Sequence, residues 1–185
     1  VLTTPLRTLL VSYPSPYDRT ETKKLLGETD ENAEISVERV LDTFGIAPAE
    51  WCVKAGAIGQ NWNRKRFLYL LAADYTERVL SIFEQRRLED PRPREAIQTL
   101  RAYAEGRAIQ KCLRCAQQEA KLATEGLFGA PFWAGLSASE DSAWFAAHHA
   151  LQAIKEVAPK EAAAERATQI EMFSAYLRGN DGHES

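Results

Sequence analysis

A chain of 185 residues that is 45% hydrophobic and 26% charged has ordinary globular composition, which excludes an intrinsically disordered protein. At this length roughly 70% of the unfolded chain's surface is buried on folding, so a core forms without disulfide or metal staples. The net charge of −3 and the pI of about 5.7 lack the basic excess on which non-specific nucleic-acid binding rests.

Cys52, Cys112 and Cys115 make an odd number of cysteines in a chain able to bury its own core. That pattern fits a reducing compartment better than a secreted disulfide framework. The opening VLTTPLRTLLVSYPSP has no basic n-region and no small-residue cleavage site, and no run approaches the roughly 18 apolar residues that span a membrane. A soluble cytoplasmic protein is expected.

In chain order, residues 1–34 differ from the rest. Pro5, Pro14 and Pro16 break helices, LLVSY (Leu9 to Tyr13) has the composition of an extended segment, and GETDENAE (Gly27 to Glu34) is acidic and turn-like. This part reads as an irregular arm or linker. From Ser36 the helical punctuation is regular. Ser36 can cap VERVLDTF, which Gly45 ends, and Pro48 suits the first turn of PAEWCVKA, closed by Gly56. Asn61 or Asn63 opens a long helix whose apolar residues Phe67, Leu70, Leu71, Tyr75, Val79, Ile82 and Phe83 recur every three or four positions.

The next helix begins at LEDPRPREAIQ. Asp90 is a good N-cap, Pro91 takes the first helical position, and Pro93 falls in the first turn, where a missing N–H does no harm. Ala96, Ile97, Leu100, Tyr103 and Ala104 form its inward stripe, and Gly106 ends it. Ile109, Cys112, Leu113, Ala116, Ala120 and Ala123 continue at helical period. GLFGAPFWAG (Gly126 to Gly135) reads as an apolar, broken connection. Ser137 with Glu140 forms a capping box for the following alanine-rich helix. Pro159 opens a last helix, Gly179 closes it, and residues 180–185 form a frayed tail. The expected fold is all-α: a single domain over 35–179 of about seven helices packed as antiparallel hairpins, with an irregular N-terminal arm.

Chemistry is sparse. The long helix carries Asp74, Glu77, Arg78 and Glu84, and Asp90, Arg92 and Arg94 begin the next. Arginine's rigid fork suits bidentate pairing across a helical hairpin, so Arg92 or Arg94 folding back on Glu77, Glu84 or Asp90 makes a structural ion-pair cluster. Cys112 and Cys115 form a CxxC within a helical run, away from the helix start that suits redox chemistry and without two further zinc ligands nearby. Cys112 is expected to face the core and Cys115 the helix flank. His148 and His149 are adjacent, about 100° apart on a helix, and cannot act as an i, i+4 ligand pair; one is expected packed and the other exposed. Trp51, Trp62, Trp133 and Trp144 are packing residues by default, with Trp133 beside Phe132 and Phe128 the most suited to partial exposure and partner contact. No metal or cofactor is expected.

LLAADYTERVLSIFEQRRLEDPRPREAIQTLRAYAEG resembles a bacterial family proposed to act as immunity proteins of polymorphic-toxin systems. The matching positions are Ala72, Ala73, Asp74, Glu77, Val79 and Leu80, then Asp90, Arg92, Pro93, Arg94, Ala96 and Ile97, then Tyr103 and Gly106. The likeness is close over about 40 residues and looser to about residue 178. Tyr75 and Tyr103 depart from the Cys and Trp common in that family, the insert GLFGAPFWAG interrupts a region usually helical in it, and residues 1–34 have no recognised counterpart. The resemblance implies a helical protein that binds and neutralises a cognate toxin without catalysis. Phe132 and Trp133, with the acidic run Glu28, Asp30, Glu31 and Glu34, are the candidate contacts, the acids either steering a basic partner or forming a solvated linker. Two other classes stay open. One is a phage- or plasmid-derived regulator or defence protein that contacts nucleic acid through Arg64, Lys65, Arg66, Arg86, Arg87, Arg92 and Arg94. The other is a helical enzyme using His148 or His149.

Overall fold

A computed structural model describes residues 2–12, 18–56, 62–140 and 142–179, the side chains of 12, 56 and 62–65 excepted. Tyr13, Pro14, Pro16, Asn61 and the tail 180–185 lie outside the described residues, as do the side chains of Trp62, Asn63, Arg64 and Lys65. Among the described residues the fold is all-α, with ten α-helices and one two-stranded sheet. Contacts gather into two compact units, Val1–Lys65 with Ile170–Ser185, and Arg66–Gln169.

In the first unit, β1 (Thr3–Pro5) pairs antiparallel with β2 (Glu34–Ser36), with Thr4 opposite Ile35. Between the strands lie α1 (Leu6–Ser12) and α2 (Arg19–Leu26). The irregular arm expected at 1–34 is therefore corrected. Leu9–Ser12, expected extended, are helical because Leu6 and Leu9 stand one turn apart and both are buried. Pro5 ends the strand just before α1, where its ring interrupts no helical hydrogen bond. Asp18 caps α2 by accepting from Glu21 N at 2.7 Å. Gly27, at φ +66°, turns the chain out of the helix.

Ser36 caps α3 (Val37–Phe44), accepting from Arg39 N at 3.2 Å, and Gly45 ends it at φ +85°. α4 (Ile46–Gly56) packs on α3 and buries Ala49, Cys52 and Val53. The last turns of α10 (Ala162–Gly179) also belong to this unit. There Ser174 Oγ donates to Glu38 Oε1 at 3.1 Å, and Arg178 Nη1 lies 3.7 Å from the same carboxylate oxygen.

The second unit is built on α5 (Trp62–Glu84), whose Phe67, Leu71, Tyr75, Val79 and Phe83 recur every four residues and are all buried. α6 (Arg92–Ala104) begins one residue later than expected, with Pro91 in the capping position and Asp90 accepting from Arg92 N at 3.3 Å. α7 (Gln110–Leu122) packs on α6. Its inward side is Leu113 and Ala120, so Ile109 and both cysteines of the CxxC are exposed. The core-facing position expected for Cys112 is thus corrected: the apolar run there is wider than the face that packs.

The segment expected as a broken connection contains a further helix, α8 (Ala130–Ser137). Pro131 occupies its first turn, where proline is tolerated. Gly135 lets it press close, since a Cβ there would lie 2.7 Å from Phe83 Cδ2 and 2.8 Å from Thr124 Cγ2. α9 (Ala143–Val157) packs on α8 and is capped by Ser142, which accepts from Phe145 N at 3.5 Å. Ser137, expected to cap it, is buried at the end of α8; its hydroxyl donates to Ala146 O at 3.0 Å and lies 2.9 Å from Thr76 Oγ1. A buried hydroxyl needs such partners, and these draw it away from the helix start. A 3-10 turn, Pro159–Glu161, leads into α10. Val79, Phe83, Ala123, Ala134, Ala150 and Ala153 form the apolar centre that holds α8 and α9 in place.

Candidate partner-binding surface

On α9, Ala143, Ala146, Ala147, Ala150 and Ala153 are buried, and their small side chains let the helix approach its neighbours. Trp144, Phe145 and His148 lie off that stripe and face outward, Trp144 at 39% and Phe145 at 44% exposure. They continue an aromatic ladder. Phe132 meets Trp133 edge-on at 5.1 Å, Trp133 stacks on His149 at 5.6 Å, and His149 stacks against Phe145 at 6.3 Å. Phe145 in turn lies 4.5 Å from Trp144, and Trp144 lies 6.1 Å from His148. Rings held against one another keep their shape when uncovered, so a partner covering them orders little that is not already ordered.

His149 is the pivot of the ladder. Only 12% of its side chain is exposed, and burial, followed by repulsion from His148, pushes it down to about 4. The Glu140 carboxylate, 3.7 Å from Nδ1, favours the charged ring but is too distant for a hydrogen bond. Burial wins, and the neutral ring is an apolar stacking plate between Trp133 and Phe145. His148 is exposed, so the expected division of the pair into one packed and one exposed residue is seen.

Phe132 and Trp133 are half-buried, and Trp133 packs against the apolar centre of the unit. They form the floor of the ladder, while its outward edge is Trp144 and Phe145, whose exposure sequence reasoning missed. A signal was present: both rings fall outside the alanine register of α9. Phe128, between α7 and α8, is 88% exposed.

The acidic run lies in the first unit. Glu31 accepts from Lys23 Nζ at 2.8 Å, which holds its carboxyl below the usual range, and Glu28 lies 3.6 Å from Arg39 Nη1. Asp30 accepts from Asn32 N at 2.9 Å, and Glu34 is exposed on β2.

The arginines sort into pairs. Arg94 grips Glu84 through Nε (2.8 Å) and Nη2 (2.9 Å), and Arg92 grips Asp90 through Nε (2.8 Å) and Nη2 (2.7 Å). Arg92 is also 3.8 Å from Glu119 on α7. The arginine that pairs with Asp74 and Glu77 is a different one. Arg101 binds both, Nη2 lying 2.7 Å from Asp74 Oδ1 and 2.5 Å from Glu77 Oε2. These contacts run in opposite directions along α5 and α6, which makes the two helices antiparallel.

Of the basic residues considered for nucleic acid, Arg64 and Lys65 lie outside the described side chains, and Arg66 and Arg86 are exposed. Arg87 donates to Glu125 O at 2.5 Å, and Arg92 and Arg94 are paired with carboxylates. Among the described residues no three His, Cys, Asp or Glu side chains come together as a metal site, and no helix is long and apolar enough to cross a membrane.

No curated protein and no solved structure matches this chain. The segment that carries α5, α6 and α7, with the arginine pairs described between them, does match a family: residues 61–125 fit the family model described as Imm-5 like putative immunity protein.

Proposed function

We propose that this chain is an immunity-type protein, which binds a toxin of a bacterial polymorphic-toxin system and neutralises it by covering its active surface, without catalysing a reaction. The observation that carries this reading is the immunity-family match over residues 61–125. The aromatic ladder supports it physically. Trp144 and Phe145 present preordered apolar area, and covering such rings is worth about 2 kcal/mol each at roughly 25 cal/mol per Å².

Phe132 and Trp133 support that edge from beneath. Of the acidic run, Glu28 and Glu31 are already engaged by Arg39 and Lys23, so steering of a basic partner falls mainly to Asp30 and Glu34. The cytoplasm of the producing cell is where such protection is needed, and three free cysteines agree with it.

The test is to co-express the tagged chain with a bacterial polymorphic-toxin domain, taken in turn from a panel of them. The two should then be passed over a sizing column at about 0.15 M salt, where exposed charges are screened beyond ~8 Å. A stable complex, free of DNA, is expected. Retention of DNA with no protein complex would transfer the reading to the nucleic-acid class.

A further inference from the structure

Cys112 and Cys115 lie on α7 three residues apart, and both are exposed. Helix geometry places their Cα atoms about 5 Å apart, inside the ~4.4–6.8 Å range of disulfides. Their Cβ atoms, at about 5–6 Å on a regular helix, must approach to about 3.5–4.5 Å before a bond can close.

The turn that must tighten lies at the start of α7, which no side chain caps. Cys112 N already bonds Ile109 O across three residues at 3.0 Å, while the four-residue bond from Leu113 N to the same oxygen is long, at 3.3 Å. The turn leading into Cys112 is thus part-way to the tighter 3-10 form, and the turn from Cys112 to Cys115 that must tighten follows directly on it. Lys111, one turn before Cys115, and Arg114 are exposed beside the pair and suit an anionic reagent. Cys52 is buried in α4, out of reach of such chemistry.

We propose that Cys112 and Cys115 form a reversible dithiol–disulfide site that exchanges with small anionic disulfides of the glutathione type. One cysteine thiolate attacks a sulfur of the oxidised tripeptide, forming a mixed disulfide and releasing one reduced tripeptide. The second cysteine then attacks the first cysteine's sulfur, closing the protein disulfide and releasing the other tripeptide. Two protein thiols are oxidised, one small disulfide is reduced, and the two protons pass to the released thiols. Closure strains the first turn of α7, so the bond belongs to the labile, easily reduced kind.

The test incubates the full chain with oxidised glutathione, blocks remaining thiols by alkylation, and reads intact and peptide masses. The expected product is lighter by two hydrogen atoms, links Cys112 to Cys115, reverts in excess reduced glutathione, and leaves Cys52 reduced. The Cys115→Ser variant should instead retain one glutathione on Cys112. The proposal is overturned by three outcomes: stable glutathione on the wild-type cysteines, a link between two chains, or a wild-type protein that stays reduced.

Discussion

Arg78 on α5 holds Glu165 on α10 with two N–H groups on one edge of its guanidinium: Nε lies 3.0 Å from Oε1, and Nη2 lies 2.6 Å from Oε2. Glu165 is buried at 7% exposure, and Gln169 Nε2 donates to the same carboxylate at 3.2 Å. Gln169 also donates to Ala147 O, and its own carbonyl accepts from the buried Tyr75 hydroxyl at 2.6 Å. The network ties α5, α9 and the start of α10 within one unit.

Removing the cation strands a buried carboxylate. Arg78→Ala is expected to destabilise the protein by about 2–3 kcal/mol, less than for a fully buried pair because Arg78 itself reaches solvent. Arg78→Lys should recover only part of this, since an ammonium cannot make the flat, two-pronged contact. Urea unfolding of the three proteins measures the difference.

The pairs between α5 and α6 should rank by how many carboxylates each arginine holds. Arg101→Ala removes one partner from each of Asp74 and Glu77, and is expected to cost about 1–2 kcal/mol. Arg94 and Glu84 form a mostly exposed pair, so Arg94→Ala should cost under about 1 kcal/mol. Equal costs in chemical unfolding would contradict the ranking.

Gly135 is the tightest point in the packing of α8. Gly135→Ala puts a methyl group into Phe83 and Thr124, and is expected to lower stability by about 1–3 kcal/mol. Phe83→Leu made together with it should cost less than the sum of the two single changes, because the smaller side chain vacates the space the methyl needs. Thermal melts of the four proteins in the cycle check this.

What could be read from the residues, and what could not, follows from the range of the interactions. The α5–α6 hairpin was legible because the four-residue apolar spacing of Phe67 to Phe83 and the Asp-Pro start of α6 are local signals. Arg101 was missed because its partners lie a hairpin away, and Glu165 because it is 87 residues from Arg78. α8 was hidden by its own glycines and proline, which read as breaks but serve a tolerated first turn and a close helix contact. The N-terminal helices were hidden by their prolines, although the Leu6–Leu9 spacing was visible. The half-buried state of Trp133 depends on α8 forming at all, so the outward rings of α9 could not be ranked above it.

Acid should weaken the protein through His149. Its folded value, near 4, lies below its unfolded value of about 6.5, so the unfolded chain binds the proton more readily between those limits. The stabilisation from a neutral, buried ring is complete above about pH 6.5 and is lost as pH falls toward 4, by an amount on the order of 2 kcal/mol. Glu77, lowered by its bond to Arg101, and Asp90, lowered by its bond to Arg92, act in the same direction at still lower pH. Urea midpoints between pH 7 and 4 should fall in the native protein and fall less in His149→Gln.

The central claim, neutralisation of a toxin by occlusion, is tested most directly by titrating the purified chain into a fixed amount of the toxin domain recovered in complex with it and measuring residual toxin activity. Inhibition should be complete at one chain per toxin molecule. The Trp144→Ala, Phe145→Ala double variant, still folded by circular dichroism, should need at least tenfold more protein, the loss expected when about 2 kcal/mol or more of interface energy is removed. Inactivation by far less than one chain per toxin would show catalysis, and activity unchanged by an excess of the chain would contradict the immunity reading.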